Sequence, residues 1–224
     1  YIRCEALKIC PSVNISLHRI GIDLTKFKPC NNNDARKKLG NLEGIKGNLI
    51  VYIGNLLASK GVLDLLKAVS EIKDHLVHLA FVGDGPMATE ILSESEKLGL
   101  QNRVHVLGSC LHEKVSDYLN AADIFVLPSY REGLPTICVE SLACECSVIA
   151  SNVGGIPEII KHETTGILVP PGDHKFLTEA LVHILGVPSF GKKMAENGRL
   201  LVERDYDIVK NAKELISMYQ GFIK

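Results

Sequence analysis

The sequence of 224 residues contains no tryptophan, and aromatic residues make up only 5% of it. Proteins that bind single-stranded nucleic acids stack bases on aromatic side chains, so this shortage argues against such a platform. An excess of positive charge is also lacking, because 25 Lys and Arg residues are balanced by 26 Asp and Glu residues. Without a basic excess, the chain lacks the electrostatic footprint of a nucleic-acid-binding protein.

The sequence also lacks the signatures of disulfide frameworks, metal sites, membrane spans and several catalytic loops. The seven cysteines include no C-x-x-C pair and the eight histidines form no H-x-x-x-H or H-E-x-x-H pair, so we expect neither a disulfide framework nor a metal site. Cysteines used as small, reduced hydrophobic residues predict a cytoplasmic protein. No apolar run approaches the roughly 20 residues of a membrane span. A P-loop, a G-x-G-x-x-G turn after a strand and a G-x-S-x-G nucleophile elbow are also absent.

Short apolar runs alternate with longer amphipathic segments. The runs predict strands at residues 13–20, 49–53, 77–82, 104–107, 124–127, 147–150 and 166–169. Helical spacing predicts helices at 35–39 with Asp34 as N-cap, 61–74, 87–98, 112–120, 136–144, 157–160 and from 176 onward. This alternation predicts an α/β fold, a Rossmann-like parallel sheet with helices on both faces. Right-handed crossovers then bring the strand-to-helix loops to one edge, where such sheets bind ligands.

Two carboxylates flank the start of one predicted helix, in and after the loop 129–136. Gly133 lets the backbone approach a ligand closely, and Pro135 suits a first helical turn. Free backbone amides at such a helix start favour a phosphate or diphosphate. Glu132 and Glu140 are each suited to accept paired sugar hydroxyls, since a carboxylate offers two acceptor oxygens. A solvated Glu132 and a Glu140 on an ordinary helix face remain the alternative from spacing alone.

Three further loops follow predicted strands. Lys60 lies beside Gly61 at a strand-to-helix turn, where its compact charge can neutralise a phosphate or simply face solvent. The segment 83–86, GDGP, is expected to be a turn. The pair Gly154 and Gly155 indicates either a close approach of the backbone to a ligand or a tight turn.

Taken together, these loops resemble glycosyltransferase family 4, a group of retaining enzymes of the GT-B type. The matching stretches are GIDLTKFKP at 21–29, YIGNLLASKG at 52–61, FVGDGP at 81–86, ADIFVLPSYREGLPTICVESLAC at 122–144, VIASNVGGIPEII at 148–160 and TGILVPPGD at 165–173. Their order and spacing match the family's C-terminal, donor-binding domain. The seven residues between Glu132 and Glu140 reproduce the family's EX7E signature.

The resemblance implies a role for each matching position. Glu132 would contact the transferred sugar and Lys60 the diphosphate, as the catalytic groups, while Glu140 would accept the ribose hydroxyls. The other implied donor-binding positions are Asn55, Asp84, Cys110, Leu111, Gly133, Leu134, Pro135 and Thr136. The implied substrate is a nucleoside-diphosphate sugar of the UDP or GDP type, with no metal and no other cofactor. Asn55 departs from the family's usual arginine and removes one cation from the diphosphate site.

The resemblance also implies how the chain is organised. Residues 1–190 would form the nucleotide-sugar-binding domain, and helices in 191–224 would return to an N-terminal acceptor-binding domain that this sequence does not contain. The implied activity is transfer of a hexose with retention, and we expect the chain alone to bind the donor without transferring it. The implied location is cytoplasmic, with attachment to the inner membrane face through the other domain as an option. A non-catalytic nucleotide-sugar-binding module and a sugar-nucleotide epimerase are the alternatives.

Overall fold

The computed structural model describes residues 2–12, 15–16 and 18–222. Its β-strands are β1 Asn48–Ile53, β2 Val77–Val82, β3 Val104–Val106, β4 Ile124–Leu127, β5 Ser147–Ser151 and β6 Ile167–Val169. Its α-helices are α1 Ile2–Ile9, α2 Asn32–Leu39, α3 Val62–Ser70, α4 Ala88–Lys97, α5 His112–Ala121, α6 Thr136–Ala143, α7 Ile156–Ile159, α8 His174–Gly186, α9 Pro188–Asp205 and α10 Ile208–Phe222. A 3₁₀ helix, Ala58–Lys60, leads into α3.

The strands form one parallel sheet in the order β3-β2-β1-β4-β5-β6. The predicted α/β fold with a Rossmann-like parallel sheet is therefore confirmed. Successive crossovers run outward from β1 to β3, and the chain then returns to β4, which pairs with the other side of β1. The direction of winding reverses between β1 and β4, which makes that gap the topological switch point of the sheet.

Helices cover both faces of the sheet and bury its central strands. Leu49, Ile50, Val51 and Tyr52 follow one another along β1, and each has 0% of its surface exposed. Successive side chains of a strand point to opposite faces, so complete burial of all four requires packing on both sides. This explains why the strands appear in the sequence as continuous apolar runs rather than as an alternating pattern.

The predicted strand at 13–20 is the main difference in the fold. Residues 13, 14 and 17 lie outside the described residues, and the others of that stretch form no strand. The neighbouring backbone is bound by the C-terminal helix instead, because the side-chain amide of Asn211 donates to the carbonyls of Arg19 at 3.1 Å and Ile20 at 3.2 Å. The prediction was wrong for the described part, since a helix distant in sequence satisfies these polar groups.

The remaining differences from the predictions concern where helices begin and end. Helix α2 begins at Asn32, and the Asn31 side chain accepts from the backbone of Asn33 at 2.9 Å and of Asp34 at 3.4 Å. Asn31 is therefore the N-cap, and the prediction of Asp34 was wrong. The helical stretch after residue 176 is divided into three helices, with Pro188 at the start of α9 where its missing N–H costs nothing. Throughout the described chain, every helix is too short or too polar to cross a membrane.

Candidate functional site

A cleft of about 370 Å³ opens between the loops that follow β1 and β4. This is the switch point of the sheet, where open parallel sheets bind their ligands. The polar or conformationally special residues that line the cleft are Tyr52, Gly54, Asn55, Lys60, His112, Glu132, Pro135, Thr136 and Glu140. Topology therefore brings together Lys60, Glu132 and Glu140, which are far apart in the sequence.

Glu132 is held by two donors from different loops. Its Oε1 accepts from Lys60 Nζ at 2.7 Å and from Ser129 Oγ at 2.7 Å. The Glu132 side chain is 11% exposed and that of Lys60 is 25% exposed, so water screens this ion pair only in part. Hydrogen bonds between charged groups are short and strong, and they fix the carboxylate at the wall of the cleft.

Glu140 lies deeper and meets a residue that sequence reasoning missed. Glu140 is buried, and its Oε1 is 3.0 Å from Nε2 of His112, the first residue of α5. The His112 ring packs edge-on against Phe27 with 5.6 Å between ring centroids, yet 72% of its side chain is exposed at the cleft. Its place directly after Leu111, at a helix start on the ligand edge, is the signal that could have indicated it.

The start of α6 faces the same cleft. Pro135 occupies the N-cap position, and no side chain caps this helix. The first backbone amides of a helix have no partner within it. The Cys138 amide turns back to the Pro135 carbonyl at 3.2 Å, so the amides of Thr136 and Ile137 are the ones that remain for a ligand. Together with the helix dipole they make this helix start favourable for a phosphate group. Thr136 and Ile137, in the first turn, line the cleft directly.

Gly154 and Gly155 support the Glu132 loop from behind. The Gly155 amide donates to the Gly133 carbonyl at 2.7 Å, and a Cβ built at Gly154 would overlap the carbonyl oxygen of Glu132. Gly154 also has a φ of +54°, in the left-handed region that favours glycine. The pair forms a tight turn, in which the Ile156 amide donates to the Val153 carbonyl at 3.1 Å, and the backbone that it approaches closely is that of the Glu132 loop.

The loop after β1 is fixed by hydrogen bonds of its own. Tyr52 OH donates to the Asn55 carbonyl at 2.8 Å, and burial, reinforced by the negative charge of Glu132, raises the pKa of Tyr52. The phenol therefore stays protonated and remains a donor at neutral pH. The Asn55 side chain itself is exposed. Among the described residues that line the cleft, Lys60 is the only lysine or arginine.

The other predicted site residues lie around the cleft rather than in its lining. Asp84 is exposed, and its carboxylate accepts from the Gly85 amide at 2.7 Å, within the predicted turn. Cys110 is half-buried, which raises the pKa of its thiol, and Leu111 is 74% exposed just before α5. Gly133 and Leu134 are exposed in the loop before α6. In the described part of the chain, no cluster of three or more His, Cys, Asp or Glu residues could hold a metal ion.

Comparison with known proteins gives consistent matches. The sequence model of the family described as glycosyl transferases group 1 matches residues 34–201. TuaC of Bacillus subtilis, whose name assigns it to teichuronic acid biosynthesis as a glycosyltransferase, is 34% identical over 224 residues, which cover 98% of this chain and 54% of TuaC. Sucrose-phosphate synthase from Thermosynechococcus elongatus superposes with a TM-score of 0.86 at 29% identity, over 99% of this chain and 56% of that one.

A further neighbour is the crystal structure of Anabaena HepE in complex with UDP-glucose, with a TM-score of 0.82 at 22% identity over 92% of this chain and 57% of HepE. At that identity the likeness concerns the fold alone. This chain spans about half the length of the relatives and structures that it matches. Because the family match extends over most of the chain, from residue 34 to residue 201, the protein belongs to the glycosyl transferases group 1 family.

Proposed function

We propose that this chain is the donor-binding domain of a retaining, family 4 glycosyltransferase that transfers a hexose from a nucleoside-diphosphate sugar to an acceptor. One observation carries the proposal: Lys60, Glu132 and Glu140 line a single cleft at the switch point of the sheet. One cation, two carboxylates and an uncapped helix start match the diphosphate and the two sugars of such a donor. The UDP-glucose complex of HepE, a protein of similar fold, supports the choice of ligand class.

The diphosphate would lie between Lys60 and the start of α6. As the bond from the hexose to the diphosphate breaks, negative charge grows on the leaving oxygen. A cation that is already held by an ion pair with Glu132 and oriented amides stabilise that charge with little reorganisation during the reaction. These groups belong to the protein itself, so the proposed reaction uses no metal ion.

The two carboxylates would divide the two sugars between them. Glu140, at the buried end of the cleft, would accept hydrogen bonds from the ribose hydroxyls, and Glu132, beside Lys60, would contact the hexose. The backbone at 109–111, before α5, would contact a base of the UDP or GDP type. Gly133 and Leu134 would contribute backbone groups beside the diphosphate, while Asn55 and Asp84 would lie near its edge.

Retention follows if the acceptor attacks from the face that the diphosphate leaves. The bond from the anomeric carbon to the phosphate oxygen breaks, the bond to the acceptor oxygen forms, and the acceptor proton passes to the leaving diphosphate. The transition state resembles an oxocarbenium ion, and the nearby carboxylate of Glu132 stabilises its positive charge. The acceptor site would belong to sequence that the longer relatives have beyond this chain.

Calorimetric titration of the 224-residue chain with UDP, GDP, ADP and their glucose conjugates tests the proposal. We expect one nucleotide type to bind with a dissociation constant in the micromolar to millimolar range, and Glu140→Ala to weaken that binding about tenfold or more. Absence of binding at millimolar concentrations, together with no effect of Glu140→Ala, would contradict the proposal. Hexose transfer catalysed by this chain alone would contradict its assignment as a donor domain only.

A further inference from the structure

Ser129 contributes a fully buried hydroxyl behind Glu132, which lines the cleft. It lies just after β4, with 0% of its surface exposed, and its Oγ donates to Oε1 of Glu132 at 2.7 Å. Lys60 Nζ donates to the same oxygen at 2.7 Å. The two donors differ in kind, since serine has one short rotatable bond to its hydroxyl whereas lysine carries its ammonium on a flexible four-carbon stem.

The second oxygen of Glu132 is left open. No described residue donates a hydrogen bond to Oε2, and this oxygen is not fully buried. An oxygen without a protein partner that is still accessible faces the space of the cleft. The two lone pairs of Oε1 are occupied by Ser129 and Lys60, whereas those of Oε2 can accept from a ligand hydroxyl.

The loops that carry the two donors are tied to each other. The Tyr130 amide donates to the Ser59 carbonyl at 2.9 Å, which joins the residues next to Ser129 and Lys60. A Cβ built at Gly61 would overlap the Pro128 carbonyl, so the two backbones are in close contact on the other side as well. The Ser129 hydroxyl therefore occupies a fixed position relative to the cleft, and the carboxylate that it binds is oriented by the fold.

We propose that Ser129 is a positioning residue, which holds Glu132 through Oε1 so that Oε2 accepts a hydroxyl of the donor's hexose. This role rests on the proposed function and assigns the orientation of the sugar-binding carboxylate to a buried serine rather than to Lys60. Without the hydroxyl, Lys60 alone anchors the carboxylate, and its long stem lets the carboxylate swing away from the sugar. Ser129 then affects binding of the hexose but not of the nucleotide.

Glu140 provides the comparison within the same cleft. Its Oε1 contacts His112 Nε2 at 3.0 Å, so it is also anchored through one oxygen. Glu140 is the residue proposed to accept hydrogen bonds from the ribose hydroxyls. Loss of its anchor in His112→Ala should therefore weaken the binding of UDP and of UDP-glucose by the same factor. Loss of the anchor of Glu132 should weaken the binding of UDP-glucose alone. The two variants therefore separate the two carboxylates.

The experiment titrates UDP and UDP-glucose into the wild-type chain and into Ser129→Ala, Ser129→Cys and His112→Ala. The readout is the dissociation constant of UDP divided by that of UDP-glucose. This ratio measures how much the hexose contributes to the affinity of the donor. Ser129→Ala should reduce this ratio about fivefold to tenfold, the scale of one ordinary hydrogen bond. Ser129→Cys should do the same, because a thiol, although larger than a hydroxyl, donates only weakly.

A double-mutant cycle completes the test. In a Glu132→Ala background, which removes the acceptor of the Ser129 hydroxyl, Ser129→Ala should cause no further change in the ratio, since the serine acts through the glutamate. A ratio that Ser129→Ala leaves unchanged, whether or not the affinities for UDP and UDP-glucose both fall, would overturn the role. A Ser129→Cys variant that behaves as wild type would overturn it as well. Ser129→Cys carries the test if Ser129→Ala does not fold. A wild-type chain that binds none of UDP, GDP, ADP and their glucose conjugates would instead refute the ligand class and the role together.

Discussion

Lys60 supplies the cationic charge of the cleft, and Glu132 already neutralises it. A diphosphate that enters must share the ammonium with the carboxylate, so part of the charge is committed before the ligand arrives. The exposed side chain of Asn55 adds no charge at the same loop. We therefore expect moderate rather than tight binding of nucleotides by this chain.

Replacement of Lys60 by methionine tests this charge directly. Lys60→Met keeps the apolar stem and should weaken UDP binding by about tenfold to 150-fold, since a hydrogen bond to a charged group contributes about 1.5–3 kcal/mol. Isothermal titration at low ionic strength gives the change in affinity. Lys67→Met, an exposed position on α3, is the matched control and should leave the affinity unchanged. Equal effects of the two substitutions would show that overall charge, not the position of Lys60, governs binding.

At the scale of elements, the turn before α7 supports the loop before α6. Gly154→Ala introduces a side chain at a left-handed φ of +54° and against the Glu132 carbonyl. Gly40→Ala, at a φ of +69° with open space around it, is the control for backbone strain alone. We expect Gly40→Ala to lower the free energy of unfolding by about 1–2 kcal/mol and Gly154→Ala by about 1–3 kcal/mol more.

The same pair of variants also separates stability from binding. Gly154→Ala should weaken UDP-glucose because it displaces the Glu132 loop, whereas Gly40→Ala, at the end of α2, should bind it like the wild-type chain. Urea unfolding and calorimetry provide the two measurements. Indistinguishable stabilities for the two variants would contradict the overlap at Gly154, and unchanged binding by Gly154→Ala would contradict its link to the site.

Two adjacent strands carry a pair of stacked histidines. His78 Nδ1 on β2 and His105 Nε2 on β3 are 3.1 Å apart, so one ring donates and the other accepts. Burial lowers the pKa of both rings, aided at His78 by the positive charges of Arg103 and Arg36 and at His105 by His78. The folded chain therefore binds fewer protons than the unfolded chain below the ordinary histidine pKa of 6.5.

Stability should consequently depend on pH through this pair. The contribution of the neutral rings is complete above pH 6.5 and is lost as the pH falls through their lowered values. We expect the free energy of unfolding in urea to decrease between pH 7 and pH 5, and His105→Gln to reduce that decrease. If the variant and the wild-type chain lose the same stability over this interval, the pair is not responsible.

The elements differ in how far the sequence predicts them, for physical reasons. Strands such as β1 and β2 bury both faces, so their apolar runs stand out from any neighbouring pattern. The sequence of 13–20 alternates as a strand would, but at its described end the carbonyls of Arg19 and Ile20 are bound by a helix distant in sequence. The alternation of strands and helices was enough to predict that Lys60, Glu132 and Glu140 lie at one edge of the sheet. The contacts of Ser129 and His112 depend on side-chain directions that residue spacing does not reveal.

At the scale of the whole molecule, the sheet separates two cavities. The cleft at the C-terminal ends of β1 and β4 holds the carboxylates and Lys60. A second cavity of about 420 Å³, lined in part by Asn48, Asn120 and Ser147, opens at the opposite edge, where β1 and β5 begin. The second cavity is the larger in volume, yet it lies away from the strand-to-helix loops that the fold devotes to ligands. Position in the topology, not size, identifies the site.

Crystals of this chain soaked with UDP provide the decisive measurement. We expect density for the nucleotide in the cleft between β1 and β4, with the diphosphate at Lys60 and the start of α6 and the ribose hydroxyls at Glu140. Density for UDP only in the cavity at the opposite edge of the sheet, with Lys60 and Glu140 untouched, would contradict it.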